Sequence, residues 1–253
     1  MSKLFIVATP IGNLKDITLR ALEVLRAVDV VLAEDTRVAR KLLSHYDIKK
    51  TIISFHEHSS RGAFEKIISL FDEGKDCALV TDAGTPSVSD PGQRLIQLLN
   101  FQNIQNEGPG FFVATKTLKT RAVALRTSSI LHIPKVEVTP IPGPSALTAI
   151  LSVSDIDCSE FLFLGFPPHK KGRQKFFARV AESTVPVILF ESTHRIIKTL
   201  TELRTAAGDR HVNIGRELTK IYEEVFRGTT SEALLHIVGE KQKGEFVLVI
   251  GVK

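Results

Sequence analysis

The sequence predicts an α/β protein with two sheets, a parallel one in its first half and a mixed one in its second. Three observations carry that expectation. Over the first hundred residues short, continuous apolar runs alternate with amphipathic stretches, the pattern of strands buried on both faces and covered by helices. Near the end of the chain three apolar runs stand too close together for the crossovers that parallel neighbours need, so the second sheet must contain antiparallel pairs. Between the halves, Pro140-Ile141-Pro142-Gly143-Pro144-Ser145-Ala146 forms a rigid turn.

Taken in order, Leu4-Phe5-Ile6-Val7-Ala8 reads as the first buried strand, and Leu19, Leu22, Leu25 and Val28 as the apolar stripe of a helix. Val30-Val31-Leu32-Ala33, a helix through Leu42 and Leu43, and Thr51-Ile52-Ile53-Ser54-Phe55 follow. A third helix carries Phe64, Ile67, Ile68 and Phe71, and Cys77-Ala78-Leu79-Val80 closes the series. Residues 101–135 break the rhythm and read as a long excursion between a helix and the strand Val136-Glu137-Val138, a length uncommon in compact domains. Pro144 suits the first turn of a helix over 146–153. Strands are then expected at 161–166, 187–190, 212–215, 222–227 and 246–250, with helices near 173–182, 195–207 and 231–238. The expected domains are 1–142 and 143–253.

At 253 residues, 43% hydrophobic and 24% charged, the composition is that of an ordinary soluble globular chain. No run approaches the roughly 18 apolar residues of a membrane span, and the first residues run straight into a strand, so neither a membrane segment nor a signal peptide is expected. Cys77 and Cys158 are the only cysteines. That excludes a disulfide framework and a cysteine zinc site, and suits the cytoplasm. The net charge is +5, but residues 101–135 hold five basic residues against Glu107 alone, which is +4 of the total and leaves +1 for the rest. Total charge therefore does not establish nucleic-acid binding; local clusters must.

The unusual residues fall in the loops after the strands. These are Thr9-Pro10-Ile11-Gly12-Asn13, Glu34-Asp35-Thr36-Arg37, His56-Glu57-His58 and Thr81-Asp82-Ala83-Gly84-Thr85-Pro86. Right-handed crossovers set such loops along one edge of a parallel sheet, where open α/β sheets bind ligands. No Gly-x-Gly-x-x-Gly follows the first strand, which counts against a dinucleotide-binding domain.

Together with Pro140-Ile141-Pro142-Gly143-Pro144-Ser145-Ala146, Leu164-Gly165-Phe166-Pro167-Pro168, Glu191-Ser192-Thr193-His194-Arg195, Gly215-Arg216-Glu217-Leu218-Thr219-Lys220 and Lys243-Gly244-Glu245-Phe246, these loops resemble the ribosomal RNA small-subunit methyltransferase I branch of the tetrapyrrole-methylase superfamily. The resemblance spans both ends and the middle of the chain. It departs in the long 101–135 excursion and in lacking the extra C-terminal segment that some relatives carry.

The resemblance implies two α/β/α domains with a cofactor cleft between them, and S-adenosyl-L-methionine as the cofactor. It further implies 2′-O-methylation of a cytidine ribose in 16S rRNA of the small ribosomal subunit, and a homodimer. The cofactor-binding residues it points to are Pro10, Asp82, Gly84, Thr85, Pro86, Pro142, Gly143, Pro144 and Ser145. Glycines permit close backbone approach, prolines hold the loops, and Thr85 and Ser145 offer hydroxyls.

Methyl transfer from a sulfonium depends on alignment, and a base helps remove the hydroxyl proton. Glu34, Asp35, Glu57, Glu191, His56 and His194 are candidates, with Asp35 and Glu57 ahead. His56-Glu57-His58 has no evident third ligand, so no metal is expected. Arg37, Arg61, Lys170, Lys171, Arg173, Arg195 and Lys220 are the candidate RNA contacts. The basic loop 167–173 reads either as such a contact or as a solvated helix entrance. The alternatives are methylation of a small tetrapyrrole-like substrate and a non-catalytic RNA-binding or assembly protein.

Overall fold

A computed structural model describes residues 1–56, 59–88, 92–105 and 134–253. The chain divides into two compact units. The first carries β1 (Lys3–Val7), all but the first three residues of α1 (Leu19–Ala27), β2 (Val30–Ala33), α2 (Thr36–His45), β3 (Thr51–Ser54), α3 (Arg61–Asp72), β4 (Cys77–Val80), α4 (Gly92–Gln105) and β5 (Glu137–Ile141). Its sheet is ordered β3-β2-β4-β1-β5, and every pairing is parallel. Each residue of β2 and of β4 is buried, as expected of strands with neighbours on both sides and helices on both faces. The core joins Leu4, Ile6, Leu32, Phe55, Ile67, Phe71, Leu79 and Leu95, each fully buried side chain stabilising the fold by about 1.5–3 kcal/mol.

The second unit carries α5 (Ala146–Ser152), β6 (Leu162–Gly165), α6 (Arg173–Ala181), β7 (Val187–Ser192), α7 (Ile196–Ala207), β8 (His211–Arg216), β9 (Glu224–Thr229), α8 (Thr230–His236) and β10 (Glu245–Ile250). The order is β6-β7-β10-β8-β9. β6 pairs parallel with β7, and the remaining pairs are antiparallel, so the sheet is mixed. Helix α8 starts with a capping box in which Thr229 and Glu232 exchange bonds, satisfying two otherwise orphaned N–H groups. Two earlier segments, Ala8–Ala21 and Ala83–Ser89, also belong to this unit.

Two readings need correction. Leu22, Leu25 and Val28 are buried, but Leu19 is 80% exposed and stands outside the apolar stripe. The excursion begins later than residue 101, because α4 continues to Gln105; residues 106–133 lie outside the described residues. Among the described residues no helix is long and apolar enough to cross a membrane.

Candidate functional site

Strand β1 ends at Val7, and the loop that follows is gripped by its own unit on three sides. Thr9 N–H donates to the Gly84 carbonyl at 2.9 Å, and Gly84 N–H donates back to Thr9 at 3.1 Å. This bridge ties the loop after β1 to the loop after β4. Gly84 sits at φ +80°, a conformation that favours glycine, and a Cβ there would stand a tight 3.3 Å from Ile11 Cγ2. Thr85 Oγ1 donates to the Pro144 carbonyl at 3.2 Å, which brings in the proline-rich turn. A Cβ on Gly143 would meet the Ala8 Cβ at 3.0 Å. Gly84 and Gly143 were expected to admit close approach; what approaches them closely is the chain itself, one loop against the next.

The third grip comes from the turn after β8. Thr219 Oγ1 accepts from Asn13 N–H at 3.0 Å. Lys220 lies across Gly12, where a Cβ would fall 2.4 Å from Lys220 Cγ. Glu217 and Thr219 both hold positive φ, +50° and +68°, a cost that persists only where surroundings over-determine the backbone. Here they do. Lys220 Nζ donates to Glu217 Oε1 and to Glu245 Oε2, both at 2.9 Å, and Glu217 Oε1 accepts from Glu245 N–H at 2.8 Å. Partial burial pushes the Lys220 ammonium pKa down, but its two carboxylate partners more than offset that and raise it. Lys220 is thus a charged clamp on the loop after β1.

Of the other expected cofactor residues, Pro10 and Pro86 are buried, and Pro144 and Ser145 are half-buried. Pro142 is exposed. Ser145 stands at the N-cap of α5 without a side-chain capping bond, leaving its hydroxyl unused by the helix. In the same segment as the Thr9–Asn13 loop, Asp16 Oδ2 is buried with no hydrogen-bond partner among the described residues.

In the first unit Asp35 caps α2, accepting from Arg37 N–H at 2.8 Å and from Arg37 Nε at 3.0 Å. The Arg37 side-chain bonds, then its backbone N–H, lower the Asp35 pKa to about 2. Asp82 Oδ1 accepts from Asp35 N–H at 3.1 Å. Partial burial pushes the Asp82 carboxyl up, and the nearby Asp35 charge adds to that. Glu57 and His58 lie outside the described residues. Arg61 is the first residue of α3.

The remaining basic candidates separate into two kinds. Lys170 and Lys171 are exposed. Arg173 is buried, and all three guanidinium nitrogens donate inside the unit: Nε to Glu202 at 2.7 Å, one terminal nitrogen to the Pro168 carbonyl at 2.8 Å, the other to Thr199 Oγ1 at 3.0 Å. Arg195 donates to Ser192 Oγ, to the Pro167 carbonyl at 3.0 Å and to Glu191 at 2.8 Å. Both were expected to contact RNA; the structure instead engages them in bracing the Pro167-Pro168 loop. Glu191, one of the expected candidate bases, is the buried anchor of this brace and accepts from Thr199 Oγ1 at 2.6 Å. Local spacing held no signal for the Arg173–Glu202 pairing, whose partners are 29 positions apart.

The comparisons with known proteins agree with this architecture. The family model described as Tetrapyrrole (Corrin/Porphyrin) Methylases matches residues 3–107 and 122–234. The ribosomal RNA small subunit methyltransferase I of Thermotoga maritima is 40% identical over 253 residues, all of this chain and all of that protein. The protein of the same name from Bacillus subtilis is 36% identical, over 99% of this chain and 75% of that one. Among solved structures, the methyltransferase CobJ superposes with a TM-score of 0.64 at 13% identity, covering 100% of this chain and 95% of that one. A uroporphyrin-III-C-methyltransferase from Thermus thermophilus gives 0.62 at 17% identity, covering 99% and 94%. At those identities the superpositions speak to the fold alone. The matched family model and the full-length similarity together mean that this chain belongs to the tetrapyrrole (corrin/porphyrin) methylases, among the ribosomal RNA small subunit methyltransferases I.

Proposed function

We propose that this chain transfers a methyl group from S-adenosyl-L-methionine to the 2′-hydroxyl of a cytidine ribose in 16S rRNA of the small ribosomal subunit. The observation that carries the reading is the 40% identity along the whole of both chains to a protein named for that class of reaction. The tetrapyrrole enzymes share only 13–17% identity with it, which favours an RNA acceptor over a small tetrapyrrole. The enzyme acts in the bacterial cytoplasm and, as the resemblance implies, as a homodimer.

The residues fit the cofactor. The Ser145 hydroxyl and the partnerless Asp16 oxygen are the kind of acceptors that an amine or a ribose hydroxyl satisfies. Pro10, Gly84, Thr85, Pro86, Pro142, Gly143 and Pro144 supply a frame already fixed by the chain's own bonds, so little ordering is needed on binding. When bound, the cofactor supplies an electrophilic methyl group on a sulfonium. This chain's task is then to align the hydroxyl and remove its proton. Asp35, held near pKa 2 by Arg37, is a weak base at neutral pH; its role is to cap α2 and aim Arg37. Asp82, whose carboxyl is raised, is the better proton acceptor of the two.

The test is methyl transfer from labelled cofactor to small subunits lacking the modification, with nucleoside analysis. Labelled 2′-O-methylcytidine is the expected product. Asp82→Asn should lower kcat about 100-fold or more while Asp35→Asn lowers it less. Cofactor binding without transfer to any subunit RNA overturns the substrate assignment.

A further inference from the structure

The loop between β6 and α6 presents an aromatic ring and two exposed cations on a rigid base. Phe166 is 49% exposed although it follows a strand of the core sheet. Its ring packs edge-on against Phe190 at 5.6 Å between centroids, and Phe190 in turn packs against Phe163 at 5.0 Å. The Arg195 guanidinium lies 5.9 Å from the Phe166 centroid. The ring is therefore fixed in place, yet about half of the residue stays in water. Fixed in place and half in water, the ring offers a flat apolar face to a ligand.

The rest of the loop agrees. Gly165 and Gly172 hold φ of +63° and +93°, and between them the Pro167 and Pro168 carbonyls are pinned by Arg195 and Arg173. His169, Lys170 and Lys171 are exposed, and among the described residues neither lysine joins an ion pair. From Phe161 to Ala181 there is no acidic residue, against Lys170, Lys171, Arg173, Lys175 and Arg179. A fixed aromatic face beside exposed cations, on a loop that itself carries no carboxylate, is the combination by which proteins hold single-stranded nucleic acid. An exposed apolar partner would leave the lysines without purpose; a duplex would leave the ring without a base to stack on.

Resting on the RNA methyltransferase reading, we propose that the 166–171 loop is an RNA-docking element. Phe166 stacks an unpaired base near the target nucleotide, while Lys170 and Lys171 hold the adjoining phosphates. Buried Arg173 and partly buried Arg195 take no part in contacting RNA; they keep the loop in shape.

The experiment measures the dissociation constant of the full chain for small ribosomal subunits lacking the modification, across a salt series, with cofactor affinity measured alongside. Phe166→Ala should weaken subunit binding about 10-fold or more and leave cofactor affinity unchanged. Phe166→Leu, which keeps an apolar side chain over Phe190, should weaken it similarly, and Phe166→Trp should restore it. Lys170→Gln with Lys171→Gln should weaken binding and reduce the slope of log affinity against log salt by about 1.4. Subunit affinity within twofold of the unaltered chain for Phe166→Leu and for the double lysine variant overturns the proposal. So does a loss confined to cofactor affinity. Because binding is read directly, an unaltered chain that binds subunits through this loop but transfers no methyl group would sink the methylation reading alone.

Discussion

Two strand-end motifs look alike in the sequence and behave differently in the structure. Glu34-Asp35-Thr36-Arg37 follows β2, and Glu191-Ser192-Thr193-His194-Arg195 spans the end of β7. Each places a carboxylate a few residues before an arginine at a helix entrance. In the first, the Asp35–Arg37 pair lies open, with 86% of the Arg37 side chain exposed. In the second, Glu191 is fully buried and Arg195 nearly so. An exposed pair contributes little because water and salt screen it. A buried pair breaks badly when one partner is removed, since the other is left charged without solvent. The same local chemistry thus serves orientation at one sheet edge and architecture at the other.

The largest expected effect tests the buried side. Glu191→Ala removes the carboxylate to which Arg195 and Thr199 both donate and should destabilise the fold by about 3–5 kcal/mol in urea unfolding. Glu191→Leu combined with Arg195→Met should recover much of that, and a loss below about 1 kcal/mol for Glu191→Ala would make the two motifs equivalent after all. A middle-sized effect is expected at Thr199, fully buried, which donates to Glu191 and accepts from Arg173. Thr199→Val keeps the shape and removes both bonds, at about 1–3 kcal/mol.

The smallest effect belongs to the open pair. Because the folded Asp35 pKa is depressed from 3.8 to about 2, its stabilising contribution is present above the ordinary carboxylate range and lost as pH falls toward 2. Asp35→Asn should therefore cost a small amount of stability at neutral pH and flatten the thermal-stability profile between pH 4 and pH 2, where the unaltered chain loses that same amount. The difference should shrink in high salt. A large neutral-pH loss would erase the contrast.

Much of this was readable beforehand, for identifiable reasons. Strands β2 and β4 have the bounds that their uninterrupted apolar runs suggested, and the crowded final strands did require a mixed sheet. Helix α4 was cut short in the reading because Asn100, Gln102, Asn103 and Gln105 dilute its apolar period, though the backbone continues through them. Leu19 matched the period of α1 but lies before the stripe turns inward. At the candidate site the loops after the strands were legible as a set, whereas their mutual grip was not. The Thr9–Gly84 bridge, the Thr219–Asn13 bond and the Arg173–Glu202 pair join residues far apart in the chain, and no local pattern encodes such pairings. Phe166 was visible as part of a motif; that it stays half in water was not.

The placement of Ala8–Ala21 and Ala83–Ser89 within the second unit has a consequence for how the protein is made. Asn13 and Thr219 are 206 positions apart, so at a synthesis rate of about 5–20 residues per second the loop after β1 waits on the order of 10–40 s for the turn that clamps it. Until Lys220 leaves the ribosome, the loop has no clamp on that side. A fragment beginning at Pro142 would keep its sheet but lose the Thr9–Gly84 bridge and the Asn13 bond together. The frame attributed to the cofactor is therefore completed only once synthesis has passed Lys220, long after its first strand has been made.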